Sequence, residues 1–270
     1  MAHIQCNFYS PSLQKNANVM VFIPTTSADD YLEERTADND APGKTYPTLY
    51  LLHGSYGDCT DWGRLANAER YAQERNIAVV MPSAENSNYV NMDKGEPYLT
   101  YITRELPQFL SRIFPLSRKR GETFIAGLSM GGYGAFRCAF ECPETYGAAA
   151  SLSGALDMQA LLNSTEAHAV KMPGSYKLAV FSDNGRIEGT RNDLLELLST
   201  QLKSGKSMPK LYMTCGTEDF IFAANESFYN KVKDLKIDLK YEKHSGVHDW
   251  NFWDAHIQDV LNWLPRCHCD

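Results

Sequence analysis

Ser129 lies in the stretch "AGLSMGGYG", residues 126–134, where Gly127 and Gly131 complete the pattern G-x-S-x-G. A serine hydroxyl is a weak nucleophile until a positioned base takes its proton. A serine held on a sharp strand-to-helix turn leaves no room for side chains two positions to either side, and the two glycines supply that room. "TFIA" before the serine reads as strand and "MGGYGAFRCAFEC" after it as helix, the context such a turn requires. A phosphate cradle fits worse, because no lysine follows in the G-x-x-x-x-G-K-[ST] spacing.

If Ser129 attacks, a carboxylate and then a histidine should follow it in the chain. "LYMTCGTEDF" ends an apolar run and delivers Asp219 into the loop beyond, and "KHSGVHDWNFW" places His248 between a last strand and a last helix. Each has neighbours that compete for its role. Glu218 adjoins Asp219, Asp249 adjoins His248, and His244 stands four residues upstream. Asp219 is preferred because it directly precedes an apolar helix start, although a carboxylate there also serves as a helix N-cap. His248 is preferred because the aromatic helix after it would fix its loop, and Asp249 is read as the start of that helix. His3, His168, His256 and His268 lie outside any such loop and read as surface or packing residues.

Acyl transfer also requires donors aimed at the developing oxyanion. "LYLLHGSYGD" is a buried strand ending in His53, Gly54 and Ser55, which assigns the donors to the backbones of Ser55 and of Met130, the residue after the serine. His53 precedes the serine and reads as orienting this loop. Trp62, Tyr89, Tyr98, Trp250 and Phe252 lie in or beside these motifs and are candidates to line a substrate pocket, with core packing as the competing role; Trp253 reads as core.

These side chains need elements to carry them. Nine short apolar or alternating runs read as strands: "HIQCNFY", "NVMVFIP", "PTLYLLHG", "NIAVVMP", "ETFIAGLS", "GAAASLSG", "KLAVF", "KLYMTCG" and "IDLKYEK". Helical spacing falls between them at about 61–74, 98–113, 131–141, 192–202, 220–235 and 249–264. The alternation predicts an α/β fold with a mostly parallel sheet wrapped by helices. Residues 25–46 read as a long acidic surface connection, and the looser stretch 157–206 as an inserted cap within one domain spanning 1–270.

Hydrophobic and charged contents of 43% and 22% are those of a globular chain, which argues against disorder or a membrane protein. A formal charge of -7 offers no basic field for nucleic acid. The start "MAHIQCNFYS" lacks a cationic, apolar leader, and seven cysteines in a long chain suit a reducing compartment, so a cytoplasmic protein is expected. Cys267, His268 and Cys269 in the closing "CHCD" lack the second ligand pair of a zinc site and read as an inert tail. No metal or cofactor is called for.

"LLHGSYGDCTDW", "IAGLSMGGYGAF", "CGTEDF" and "HDWNFW" together resemble the esterase D family of α/β-hydrolases: tributyrin esterases, bacterial acetyl and feruloyl esterases and S-formylglutathione hydrolases, with mycolyltransferases more distant. The resemblance implies an α/β-hydrolase fold with Ser129 as nucleophile, Asp219 as acid, His248 as base, and Ser55 and Met130 as oxyanion donors. It implies a serine carboxylesterase acting on small-molecule short-chain or small aromatic acid esters. S-formylglutathione hydrolases typically carry a cysteine-containing loop where this chain has "HGSYGD", so the simpler esterase branch is expected. A thioesterase, an acyltransferase and a non-catalytic binding domain on the same scaffold are the alternatives, and a homo-oligomer is compatible with all of them.

Overall fold

The computed structural model describes residues 1–33, 43–163, 174–181 and 186–265. Cys267, His268 and Cys269, as well as His168, lie outside them. Among the described residues eight strands form one sheet in the order β1-β2-β4-β3-β5-β6-β7-β8. The strands are β1 (Ala2–Ser10), β2 (Lys15–Ile23), β3 (Thr48–Leu52), β4 (Ala78–Pro82), β5 (Thr123–Leu128), β6 (Ala148–Leu152), β7 (Lys210–Gly216) and β8 (Leu239–His244). β1 and β2 pair antiparallel, β2 runs antiparallel to β4, and every pairing from β4 to β8 is parallel. The mostly parallel sheet expected from the sequence is therefore present.

Every residue of β3, β4, β5 and β6 is buried, because helices cover both faces. Side chains alternate between two cores with the period of two that a strand imposes. Tyr50, Leu52, Val80, Ile125 and Met213 face one core, whereas Leu49, Leu51, Val79, Phe124, Ala126 and Tyr212 face the other.

The helices are α1 (Ala28–Leu32), α2 (Asp61–Arg64), α3 (Ala68–Gln73), α4 (Tyr98–Thr100), α5 (Leu106–Leu110), α6 (Met130–Glu141), α7 (Met158–Asn163), α8 (Gly174–Phe181), α9 (Leu194–Lys203), α10 (Phe222–Val232) and α11 (Trp250–Trp263). Residues from α5, α6, α9 and α10 fill the first core; residues from α2, α3 and α11 fill the second.

Three sequence expectations change. "KLAVF", read as a strand, belongs to α8: a five-residue apolar run has no period long enough to separate strand from helix. The helix expected over 61–74 is two short helices, and that over 98–113 widens into a π turn at Tyr101–Glu105 just before Pro107, whose ring nitrogen cannot donate.

The parallel orientation positions the site. β3, β5, β7 and β8 all release their following loops at the carboxyl edge of the sheet, so "HGS", the Ser129 turn, Asp219 and His248 emerge on one rim despite their distance in sequence.

Candidate active site

β5 hands the chain to Ser129 at φ 53° and ψ −115°, and α6 begins at the next residue. A non-glycine residue at such angles is strained and persists only where its surroundings over-determine it. Here they do. The Ser129 amide donates to the Leu152 carbonyl at 2.9 Å, and its own carbonyl accepts from Gly132, Tyr133 and Ala155 at 3.0, 3.2 and 3.2 Å. A Cβ on Gly127 would stand 2.4 Å from the Gly131 carbonyl oxygen, and one on Gly131 would stand 2.6 Å from the carbonyl oxygens of both Leu52 and His53. The two glycines thus let strand and helix close on each other and on the end of β3.

His248 meets this turn from the opposite side. Its Nε2 lies 3.0 Å from Ser129 Oγ, and its Nδ1 lies 3.0 and 2.9 Å from the two carboxylate oxygens of Asp219. An ionised carboxylate only accepts, so Nδ1–H donates to Asp219 and leaves the Nε2 lone pair for the Ser129 hydroxyl. The Asp219 side chain is wholly covered while that of His248 keeps 16% exposure, so the carboxylate is sealed and the imidazole faces solvent. Asp219 also accepts from the Ile221 amide at 3.0 Å. It therefore caps the turn into α10 and holds the imidazole at once. Asp249 caps α11, accepting from the Phe252 amide at 3.0 Å.

The "HGS" loop lies against the turn: a Cβ on Gly54 would sit 3.6 Å from Ser129 Cβ. Met130 is the first residue of α6, where amides have no acceptor within the helix and the helix dipole is positive. His53 braces the loop from beneath. Its Nδ1–H donates to the Gly54 carbonyl at 2.7 Å and its Nε2 accepts from the Ala84 amide at 3.0 Å, an arrangement open only to the neutral ring. Burial holds its pKa below the ordinary histidine value.

The aromatic residues near these motifs divide by burial. Trp62, Tyr89 and Tyr98 are at most 1% exposed, so they do not form the wall of an open pocket. Their polar atoms serve the scaffold. Trp62 Nε1 donates to the Leu52 carbonyl at 3.0 Å, the Tyr89 hydroxyl donates to the His53 carbonyl at 2.9 Å, and the Tyr98 hydroxyl accepts from Lys15 at 2.9 Å. Phe252 is core as well. Trp250 alone of the set keeps a partly exposed face, with its ring edge-on to Trp62 at 5.2 Å.

Two residues that hold the His248 loop escaped sequence reasoning. Glu218, weighed there only as a rival acid, accepts from the Gly246 amide at 2.6 Å, and its own amide donates to the Gly246 carbonyl at 3.1 Å. The bond from Gly246, with help from Thr217, lowers the Glu218 pKa. Phe220 packs its ring 4.6 Å from that of His248, and Trp253 stands edge-on to the same imidazole at 4.9 Å. Their adjacency to Asp219 was the only sequence signal.

Of the stretch 157–206, α8 is tied to the loop after β4 through the amides of Asp93 and Lys94, which donate to the Val180 and Ala179 carbonyls at 3.2 and 2.9 Å. The Tyr133 hydroxyl of α6 donates to the Asn192 carbonyl at 2.6 Å. No helix among the described residues is long and apolar enough to cross a membrane.

The Esterase family model matches residues 10–264. The acetyl esterase of Caldicellulosiruptor saccharolyticus is 35% identical over 269 residues, covering 98% of this chain and 99% of that one. Among solved structures, the substrate-bound fluorophosphonate-binding serine hydrolase F of Staphylococcus aureus aligns with a TM-score of 0.86 at 32% identity, covering 97% of this chain and 98% of that one. The S-formylglutathione hydrolase of the same organism aligns with a TM-score of 0.82, also at 32% identity, with the same two coverages. The chain belongs to the Esterase family and is a serine hydrolase of the α/β-hydrolase fold that acts on carboxylic ester bonds.

Proposed function

We propose that this chain hydrolyses esters of short acyl groups through Ser129, His248 and Asp219, by way of an acyl-enzyme. The observation that carries the reading is the unbroken contact from Ser129 Oγ to His248 Nε2 at 3.0 Å and from His248 Nδ1 to Asp219 at 2.9 Å. Ser129 Oγ attacks the ester carbonyl as His248 takes its proton, and Asp219 stabilises the imidazolium that forms. The oxyanion settles between the amides of Ser55 and Met130, fixed in advance by Gly54 and by the start of α6. Collapse expels the alcohol, which takes the proton back from His248. Water activated by the same imidazole then releases the acid.

A short acyl group is favoured by the likeness to an acetyl esterase along nearly the whole chain. In this reading residues 1–270 are one domain, the described parts of 157–206 belong to a cap, and Trp250 flanks the entering substrate. Free thiols at Cys6, Cys59, Cys138, Cys142 and Cys215 support a cytoplasmic setting.

The test is fluorophosphonate labelling with peptide mapping, together with turnover of p-nitrophenyl esters of rising chain length. Labelling at Ser129 and the highest kcat/KM on acetyl or butyryl esters are expected; folded protein that stays unlabelled there would overturn the assignment. The structural likeness to an S-formylglutathione hydrolase favours a second reading, a thioesterase acting on S-formylglutathione. A kcat/KM on that thioester far above the one on p-nitrophenyl acetate would select it.

A further inference from the structure

The edge of the sheet beside the base carries a second set of donor groups that the ester chemistry does not use. His244 ends β8, while His256 and Asp259 stand three residues apart on one face of α11. The two imidazoles lie face to face, with centroids 4.0 Å apart and planes 21° from parallel. His256 Nδ1 is 2.7 Å from an Asp259 carboxylate oxygen. One ligand atom from each of the three residues falls within 4.8 Å of the other two, and they are the one such cluster among the described residues. His244 Nε2 is sealed from solvent and has no hydrogen-bond partner. A buried ring nitrogen left unpaired costs free energy that a bond to it would recover.

We propose that His244, His256 and Asp259 bind a divalent transition-metal ion, with Zn²⁺ the best match, at a site separate from Ser129. Two imidazoles and one carboxylate form a borderline donor set suited to zinc, with a fourth position left for water. Donors around a tetrahedral zinc stand roughly 3.4 Å apart at bond lengths of ~2.1 Å, so the cluster must tighten, and because the two rings are nearly parallel one of them must turn about its Cβ–Cγ bond to aim its lone pair at the ion. The Asp259 side chain is 41% exposed and already reaches His256, and Phe252 packs 4.3 Å from the His256 ring, which leaves the unbonded His244 ring as the one that turns. The nearby Glu242 is already bound to the Tyr212 hydroxyl and to Lys240, so it adds negative potential without serving as a ligand. A metal here would tie the end of β8 to α11, joining the two elements that flank the His248 loop.

The experiment titrates chelator-treated full-length protein with ZnCl₂ by calorimetry and follows Tm in parallel. One saturable equivalent and a raised Tm are expected in wild type and in His248→Ala, which removes the competing imidazole at the triad. His244→Ala and His256→Ala should each weaken binding by about tenfold or more. Asp259→Asn, nearly isosteric, is the variant least able to disturb the fold and should weaken binding without lowering the metal-free Tm. Co²⁺ should give a visible absorption band that disappears in His244→Ala. The proposal is overturned if wild type shows no saturable binding, if His244→Ala and His256→Ala bind as wild type does, or if binding is lost in His248→Ala.

Discussion

The two loops that meet at the Ser129 hydroxyl are fixed by different balances of backbone and side chain. The Ser129 turn is held by backbone: its amide and carbonyl are both bonded, and Gly127 and Gly131 admit main chain within distances no Cβ could tolerate. The His248 loop has backbone bonds too, from the Thr217 and Glu218 amides to the His244 and Gly246 carbonyls, but it adds a set of side chains: the Asp219 carboxylate, the Glu218 clamp on Gly246, the rings of Phe220 and Trp253, and the Asp249 cap on α11. One is strained at a half-buried Ser129 between buried neighbours; the other is half-exposed and braced. Under the proposed roles, a nucleophile must be placed once and held, whereas a base receives and returns a proton, and adjustable side-chain contacts suit that task.

Substitutions can break this contrast in descending order of effect. Ser129→Ala should lower kcat by on the order of 10⁶ while leaving Tm near wild type, since the hydroxyl is not what fixes the turn. Asp219→Asn should lower kcat by about 10⁴, because an amide favours the wrong imidazole tautomer. A variant within severalfold of wild type would shift the acid to Glu218 or Asp249.

Gly127→Ala and Gly131→Ala test the backbone side of the comparison. Each should cost about 3 kcal/mol or more in urea unfolding, because what the new methyl meets is main chain and has nowhere to move. A loss below 1 kcal/mol would show the turn to be softer than its contacts imply. Glu218→Ala tests the side-chain side. It should lower kcat about tenfold with KM little changed, less than a full ångström of misplacement costs, and Glu218→Gln, which keeps an acceptor for Gly246, should restore most of the loss.

The smallest effect is a pH slope in stability. Folding lowers the His53 pKa below its ordinary 6.5, so just under that pH the unfolded chain binds more protons than the folded one. Stability then rises with pH through that window and falls as the medium is acidified below it. His244 is shifted in the same direction and adds to the slope. The urea midpoint should therefore drop between pH 7 and pH 5.5, and His53→Asn should flatten the drop while lowering stability throughout. An unchanged slope in that variant would remove His53 from the account.

Much of the site was legible because its demands are local. G-x-S-x-G between an apolar run and a helical pattern states a steric requirement within five residues, and the order serine, carboxylate, histidine follows from which strands end in loops. The roles of Trp62, Tyr89 and Tyr98 were not legible: an aromatic beside a motif looks the same whether it lines a pocket or seals a core, and only their near-complete burial separates the two. "KLAVF" failed for a related reason, its five residues being too few to display a period.

Taken alone, the sequence determined the strand-to-helix turn at Ser129, the alternation that makes a mostly parallel sheet, and the order of the groups along the chain, since each depends on covalent neighbours and side-chain period. Only the tertiary structure decided that Asp219 rather than Glu218 faces His248, that Glu218 clamps the loop instead, and that His244 meets His256 across β8 and α11. These are choices between adjacent residues or between distant elements. They are settled by which side chain points inward once strands pair and helices pack, a geometry no single stretch of chain encodes.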